Sequence, residues 1–471
     1  MARKTMASEE KETTGSRRVS RKKKADSPSQ LMELFLFVAE QLGITADRDV
    51  AELADVSPEN VSNWRSGAVQ EFKPNKLRTI KSRLEANLKS LKEQAGVVDD
   101  PVAELSPLEI EEGSGPADLQ RQFRDRVSFD YLGHRFLYFE PMGALAWENL
   151  IKLGYDQDRW VLGAQDCAKS WVDTKKTSSG ATKGPIAEAL GLGRRGSAVG
   201  LDVVSLGPGE GEKEVALLEL LLDAEKESGQ RLAWLSYSPV DVSIPLLLVA
   251  ARNARRVLSR AAKRGGLSTY QVKPYVSDFE EGAISFTKRL PTGAITDRRG
   301  VRLVLLLGNT FGNLRDEETF VRRKLAKITR PGDLIWLEVG VRIDPIDRDP
   351  LYRMTLDDVE LTAAETNRRL LLEGPYRRFE AAMGRPPSEL DIRIWLREND
   401  DGCRIPGAVN FCHDLRIKNE NRSCTMLYSR RYTLEDLTAW LEAMNLEVLR
   451  IQRIEDSRGI ARVAHLLLRA R

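Results

Sequence analysis

Short apolar segments alternate with longer amphipathic ones through the middle of the chain, between residues 200 and 341. A short continuous apolar segment predicts a buried strand, whereas apolar residues spaced by three and four predict a helix. Strands that alternate with helices specify a mostly parallel sheet with helices on both faces. We therefore expect a doubly wound α/β core with strands near 203–206, 232–239, 271–276, 301–307 and 334–341, and helices near 214–226, 243–264 and 316–328.

The alternation stops on both sides of this core. Residues 1–27 are basic with almost no large apolar side chain, which predicts a disordered tail. Beyond the core, we expect helices near 362–383 and 434–444, and strands near 404–411, 423–432, 447–454 and 461–468. The predicted parts are the basic tail (1–27), a small all-α domain (28–96), a linker (97–118), a helical cap and loop (119–200), the α/β core (201–341), and a mixed α+β subdomain with C-terminal strands (342–471).

Composition narrows the class of protein. Lys and Arg number 73 against 70 Asp and Glu, so the net charge of +3 does not by itself indicate a polyanionic partner. Four cysteines are too few for a disulfide scaffold, and Cys403, Cys412 and Cys424 lack the close pairing of zinc motifs. We expect free core cysteines and no metal. The N-terminus has no apolar signal-peptide core, which predicts a cytoplasmic protein.

The first core strand ends in a glycine-rich turn, Leu206-Gly-Pro-Gly-Glu-Gly-Glu-Lys213. Glycines let the backbone approach a ligand closely, and ligands of doubly wound sheets bind at the carboxyl ends of the strands. An ordinary tight turn is the alternative for these glycines alone. The neighbouring strand ends favour a ligand, because each carries a polar group suited to part of a nucleoside.

Asp241 follows the second strand, where a carboxylate can accept hydrogen bonds from two ribose hydroxyls. Asp278 and Phe279 follow the third strand, where they can bind an adenine amino group and pack beside the ring. The loop Gly308-Asn-Thr-Phe-Gly-Asn313 follows the fourth strand. The strand ends thus supply the candidate ligand-binding residues Gly207, Gly209, Asp241, Ser243, Asp278, Phe279 and Asn309.

The set LGPGEGEK, YSPVDVS, VSDF, LLLGNTFGNL and KITRPGDLIWLEVGV closely resembles the histidine-specific methyltransferase family, which includes the ergothioneine-pathway enzyme. The resemblance spans about 130–471 and is tight from 203 to 341. It implies a Rossmann-like fold and S-adenosyl-L-methionine as cofactor. It also implies that Gly207 and Gly209 approach the methionine part, that Lys213 holds its carboxylate, and that Asn313 is the catalytic residue facing an amino-acid substrate. A NAD-dependent dehydrogenase is the competing reading, but its usual glycine spacing is absent.

The resemblance weakens in the half that would bind the substrate. Phe139 stands where the family has a tyrosine, and Tyr155 matches a second substrate-lining tyrosine without its usual continuation. Ser429 is retained, yet Leu427 replaces the glutamate that contacts the imidazole. Loss of a hydroxyl and a carboxylate should weaken recognition of histidine. The acceptor is therefore another small-molecule amine, or the domain binds cofactor without turnover.

Residues 50–67 resemble a repressor-type helix-turn-helix through Leu53, Val56, Val61, Trp64 and Gly67. The second helix would offer polar side chains to base edges in the major groove of DNA. The alternative is a helical domain used for protein contacts. If the segment binds DNA, the chain is a methyltransferase fused to a DNA-binding module. The alternative is a transcription regulator that uses the methyltransferase-like domain as a cofactor or metabolite sensor without turnover. The candidate DNA-binding residues are Asn60, Ser62, Asn63 and Arg65.

Overall fold

The computed structural model describes residues 46–54, 56–65, 103–105, 109–115, 118–119, 121–123, 131–138, 141–153, 160–175, 183–192, 200–229, 232, 234–264, 267, 269–284, 300–356, 359–363, 365–366, 368, 390–398, 403–417, 422–456 and 458–471. The predicted basic tail, most of the predicted all-α domain (28–96) and the candidate substrate residues Phe139 and Tyr155 lie outside these ranges. Most of the helix expected near 362–383 does so as well.

The strands are β1 (Ala103–Leu105), β2 (Glu109–Ile110), β3 (Gly200–Leu206), β4 (Trp234–Asp241), β5 (Tyr270–Val272), β6 (Tyr275–Val276), β7 (Gly300–Leu306), β8 (Leu334–Gly340), β9 (Leu390–Arg397), β10 (Val409–Ile417), β11 (Arg422–Arg431), β12 (Leu446–Glu455) and β13 (Ala461–Ala470). The helices are α1 (Asp47–Ala54), α2 (Pro58–Arg65), α3 (Arg135–Tyr138), α4 (Pro141–Lys152), α5 (Leu162–Trp171), α6 (Pro185–Ala189), α7 (Glu212–Ser228), α8 (Ile244–Lys263), α9 (Glu317–Phe320) and α10 (Leu434–Ala443). Helix α9 continues as a π-helical turn, Val321–Leu325, and a last α-helical turn, Ala326–Ile328.

One large sheet forms the core, with strand order β1-β5-β4-β3-β7-β8-β13-β12. Neighbours from β1 to β8 are parallel, whereas β13 is antiparallel to both β8 and β12. From β3 the chain adds β4 and β5 on one side and β7 and β8 on the other. Such a reversal leaves a crevice at the carboxyl ends of the strands. The expected Rossmann-like core is therefore present.

Apolar helix faces cover both sides of the sheet, which is why its central strands are buried on both faces. On one side α5, α7 and α8 pack against β3 and β4 through residues such as Leu217, Leu221 and Leu258. On the other side α9 and α10 pack against β7, β8 and β13 through residues such as Phe320, Leu437 and Leu441. The C-terminal strands β12 and β13 thus belong to the core sheet.

The predicted core strands and helices are found with small shifts at their ends. Three further differences from the prediction concern strands. The expected strand at 271–276 is split into β5 and β6, because Pro274 has no N–H to donate to a ladder. The expected linker contains β1 and β2, which add to the sheet beside β5 and β6. The strand expected at 404–411 begins later, at Val409, after a turn through the left-handed Gly407.

A second, three-stranded antiparallel sheet has the order β11-β10-β9. Strand β11 is anchored to the core by Arg430, whose side chain is wholly buried. Its guanidinium donates to the carbonyl oxygens of Leu314 and of Arg315 (3.0 Å) and pairs with Glu317 at 3.0 Å. The Tyr432 hydroxyl donates to the same Glu317 oxygen at 2.7 Å. These bonds hold the small sheet against the segment that follows β7.

Replacing Arg430 with methionine should therefore destabilise the fold strongly, because Glu317 would remain buried without its cation. We expect a loss of about 3–5 kcal/mol in the free energy of unfolding, measured in urea. Arg404 is the matched control, since it pairs at 3.0 Å with the adjacent Glu318 but its side chain is 71% exposed. Arg404→Met should change stability by less than about 0.5 kcal/mol. Equal losses in the two variants would contradict the clamp.

Candidate active site

The glycine turn after β3 takes a conformation that only glycine adopts readily. Gly207, Gly209 and Gly211 have φ of +68°, +58° and +73°. A Cβ on Gly209 would lie 3.2 Å from the indole nitrogen of Trp147 on cap helix α4, and one on Gly207 would lie 3.4 Å from Thr310 Oγ1. The turn therefore lies between the cap and the loop that follows β7, and α7 begins immediately after it at Glu212.

Lys213 lies in the first turn of α7, and its side chain reaches the central strands. Its ammonium nitrogen is 2.5 Å from Glu338 Oε2 of β8, and the N–H of Gly308 donates to that same oxygen. The ammonium also lies 5.5 Å from the ring centroid of Trp160. A cation is thus fixed at the carboxyl ends of β7 and β8.

Asp241 is the last residue of β4, and its buried carboxylate accepts the N–H of Ser243 at 2.9 Å. Burial raises the pKa of Asp241 to about 6, although backbone N–H groups of Ser243, Val242 and Gly209 act in the opposite direction. The Ser243 hydroxyl is fully buried and has no hydrogen-bond partner among the described residues. A carboxylate and an unsatisfied hydroxyl therefore stand side by side next to the glycine turn.

Asp278 follows β6 and is tied to the cap by a residue that the sequence did not indicate. Its Oδ1 accepts the N–H groups of Glu280 (3.0 Å) and Glu281 (3.2 Å), while its Oδ2 contacts the guanidinium of Arg135 on α3. Arg135 also pairs with Glu281 at 3.0 Å. A lone arginine on a four-residue helix has no sequence signature, so only the fold reveals this pairing.

The Asp278 loop carries a further buried carboxylate, Glu280. It accepts the Arg315 N–H and a hydrogen bond from the Tyr131 hydroxyl at 3.2 Å. Burial and the nearby Asp278 raise the pKa of Glu280 to about 8. The raised pKa favours the protonated form of Glu280, which reduces the repulsion among the acidic groups of the loop. Phe279, between these acids, is buried near Gly207 and the His134 ring.

The loop after β7 is held by its two asparagines. Asn309 has φ +61°, and its Oδ1 accepts the Gly340 N–H at the end of β8 (2.9 Å). Its Nδ2 donates to Asn313 Oδ1 at 3.2 Å. The Asn309 amide is thus used to hold the loop, while the Nδ2 of the half-buried Asn313 donates to none of the described residues.

Strand β11 brings Ser429 to the same region through Arg431. The Arg431 guanidinium donates to Ser429 Oγ at 3.2 Å and to Asp349 at 2.8 Å, and its Cδ lies over Gly340. Because Ser429 Oγ accepts this bond, its own hydrogen is available to a ligand. Leu427, two residues earlier, is buried in an apolar cluster that includes Phe136, Leu150, Val242 and Phe411.

The cofactor-binding candidates of the core therefore lie close together beside the glycine turn. The candidate DNA-binding residues lie on α2. In α2, Ser62 is exposed, Asn60 and Asn63 are half-buried, and Arg65 is the last helical residue. Val50 of α1 and Val61 of α2 are fully buried, and Ser57 Oγ accepts the Asn60 N–H at 3.4 Å. These two short helices overlap the segment that resembles a helix-turn-helix, whereas the helix-turn-helix itself and base contacts by α2 stay predictions.

The described residues also bear on metal binding and on membrane insertion. Within it, no three His, Cys, Asp or Glu side chains are grouped so as to hold a metal ion. The cysteines at 167, 403, 412 and 424 are all free. None of the helices in the described ranges is long and apolar enough to cross a membrane.

A family model described as "Histidine-specific methyltransferase, SAM-dependent" matches residues 183–345, about a third of the chain. The matched segment contains the glycine turn and the ends of β4, β6, β7 and β8. No curated protein matches the chain.

Several solved structures are similar in outline. An S-adenosylmethionine-dependent methyltransferase from Clostridium acetobutylicum is 13% identical, with 69% of this chain and 98% of that chain covered and a TM-score of 0.33. A 1,6-didemethyltoxoflavin-N1-methyltransferase from Burkholderia thailandensis is 13% identical, with 70% and 88% covered and a TM-score of 0.30. The glycopeptide N-methyltransferase MtfA is 12% identical, with 60% and 86% covered and a TM-score of 0.27. From the family match, the chain is an S-adenosylmethionine-dependent methyltransferase whose residues 183–345 carry the family's pattern.

Proposed function

We propose that the chain transfers a methyl group from S-adenosylmethionine to the nitrogen of an amino-acid-like small molecule. The observation that supports this most is that the carboxyl ends of β4, β6, β7 and β8 lie beside the glycine turn after β3. This brings the Lys213 ammonium, the Asp241 carboxylate and the Asn313 amide to one crevice. These groups match the chemically distinct parts of the cofactor. Without a ligand group beside it, the fully buried Ser243 hydroxyl would leave a hydrogen bond unmade at a cost of about 1–3 kcal/mol.

The residues fit the cofactor in a simple order along the crevice. The backbone of Gly207 and Gly209 would approach the methionine part, and the Lys213 ammonium would hold its carboxylate. The Asp241 carboxylate would accept hydrogen bonds from the ribose hydroxyls. Asp278 and Phe279 would bind the adenine, with Arg135 holding the aspartate in place. Asn309 would act indirectly, because its amide holds Asn313 and Gly340.

The bound cofactor supplies a methyl group on a positively charged sulfur. The protein's part is to hold a neutral amine in line with that methyl group and to keep water away, which is a proximity effect. The amine must also lose a proton. Asn313 and Ser429 would orient the acceptor, since each has an N–H or O–H group that donates to none of the described residues.

The proposed pocket does not suit histidine as the methyl acceptor. An imidazole needs a polar partner, yet Leu427 and its buried apolar neighbours provide none. A pocket that cannot satisfy a polar side chain discriminates against it. We therefore propose an amino acid with an apolar side chain, or a related amine, as the acceptor.

The N-terminal helices suggest a second part of the function. We infer that α2 presents Asn60, Ser62, Asn63 and Arg65 to DNA, because Ser62 is exposed while Val61 anchors the helix to α1. If the protein binds DNA but does not methylate any substrate, it is a transcription regulator that senses a cofactor or metabolite. If α1 and α2 instead bind only other proteins, it is a methyltransferase with a docking domain.

Asp241→Asn should weaken S-adenosylmethionine binding, because the amide offers one acceptor oxygen in place of a charged carboxylate. We expect a loss of about tenfold to a hundredfold in affinity, measured by calorimetry at pH 7.5.

Since burial places the pKa of Asp241 near 6, the wild-type affinity should fall about tenfold per pH unit below that value. The Asp241→Asn affinity should not show this fall. Asp202→Asn, which changes a buried aspartate paired with Arg302 on β7, should bind like the wild type, and equal losses in both variants would refute the assignment.

Transfer of a labelled methyl group to a panel of amino acids tests the acceptor. We expect a higher kcat/KM for leucine or phenylalanine than for histidine, by about tenfold or more, because Leu427 would face the substrate side chain in the proposed pocket. A preference for histidine would contradict the proposed pocket. Absence of turnover on every amine, with cofactor binding intact, would favour the sensor.

A mobility-shift assay on genomic DNA fragments tests the N-terminal module. We expect sequence-specific binding that Asn63→Ala and Arg65→Ala each weaken by about 1–3 kcal/mol. Arg260→Ala, on the exposed face of α8, is the control and should leave binding unchanged. If no fragment is bound specifically, or if all three variants bind alike, α1 and α2 do not form a DNA-reading unit.

A further inference from the structure

Glu338 is a carboxylate in the middle of the core sheet, and its side chain has no exposed surface. It lies on β8 between apolar neighbours, opposite His465 of β13. Taking a carboxylate out of water is expensive, so a buried glutamate is retained where several donors stabilise its charge. Donors to Glu338 come from the start of α7 and from the loop after β7, and the His465 ring of β13 lies beside it.

Two of the donors meet at one oxygen of Glu338. Lys213 Nζ is 2.5 Å from Oε2, and the backbone N–H of Gly308 donates to the same atom. Lys213 comes from the start of α7, whereas Gly308 follows β7. Glu338 therefore connects the glycine turn to the loop that carries Asn309 and Asn313.

The ring of His465 lies near the other oxygen of Glu338, beyond hydrogen-bond distance. Trp336 Nε1 is 3.1 Å from His465 Nδ1. An indole nitrogen only donates, so His465 Nδ1 is the unprotonated ring nitrogen. Burial lowers the pKa of His465 to about 3 and keeps the ring neutral. Its proton is then on Nε2, which faces Glu338 Oε1 at 3.7 Å. The neutral histidine thus adds no charge on the side of Glu338 away from Lys213.

We propose that Glu338 is a positioning residue for the amino-acid end of S-adenosylmethionine. It fixes the Lys213 ammonium with one N–H toward Oε2, so that the remaining N–H groups face the cofactor carboxylate. A lysine side chain is flexible, and holding it in place in advance reduces the entropy lost on binding. The inference rests on the proposed function, because it requires Lys213 to be the partner of that carboxylate.

The alternative is that Glu338 only neutralises a buried lysine. In that case its charge would stabilise the fold, and the cofactor carboxylate would be recognised equally well without it. The two cases differ in one ratio, the affinity for S-adenosylmethionine divided by that for decarboxylated S-adenosylmethionine. This ratio is insensitive to a general loss of stability, because both ligands bind the same folded protein.

Calorimetry with these two ligands should therefore compare the wild type with Glu338→Gln and Lys213→Met. We expect the wild type to prefer the intact cofactor by about tenfold or more. Glu338→Gln should reduce this preference several-fold, with little change for the decarboxylated ligand, and Lys213→Met should abolish it. The double variant should resemble Lys213→Met, because the two residues act on the same carboxylate.

Glu214→Gln is the matched control, since Glu214 is equally buried beside Lys213 but accepts from Ser205 at 2.7 Å. It should weaken both ligands alike. If Glu338→Gln does not fold, Glu338→Asp keeps the charge, and its shorter side chain should lower the ratio as well. A wild-type ratio near one, or an unchanged ratio in the Glu338 variants, would overturn the inference. A wild type that binds neither ligand would instead refute the proposed function.

Discussion

The parallel pairing of β3 with β4 on one side and with β7 on the other is the constraint on which the site depends. The connections after these strands leave toward opposite sides, so the carboxyl ends between β3 and β7 stay uncovered by the sheet's own crossovers. The glycine turn and the loop after β7 face each other there, with Gly207 close to Thr310. The cap and the three-stranded sheet then close around the same opening.

Neighbouring residues hold the polar side chains of this opening in place. Each side chain that we propose as a ligand contact is fixed by a second residue, which is how binding sites are organised before the ligand arrives. In two of the three pairs this second residue comes from a distant part of the chain. The supporting residue is itself buried or nearly so in each case. The pairs are Lys213 with Glu338, Asp278 with Arg135, and Ser429 with Arg431.

The parts of this arrangement that are local in sequence could be predicted, and the long-range ones could not. The strand ends at Leu206 and Asp241 follow from apolar segments that stop at glycine or at a polar residue. Strand β9 was also open to prediction, because residues 390–394 alternate between apolar and polar side chains. The partner of Lys213 is 125 residues away in the sequence and that of Arg135 is 143 away. No spacing rule joins residues so far apart, since only the sheet order brings them together.

Strand β13 has a consequence for how the chain reaches its native state. It is inserted between β8 and β12, so the open edge of β8 remains unpaired until residues 461–470 have been synthesised. An apolar strand such as Leu334–Gly340 with an unpaired edge is a template for pairing with other chains. During translation, aggregation through this edge therefore competes with folding until the hairpin of β12 and β13 docks.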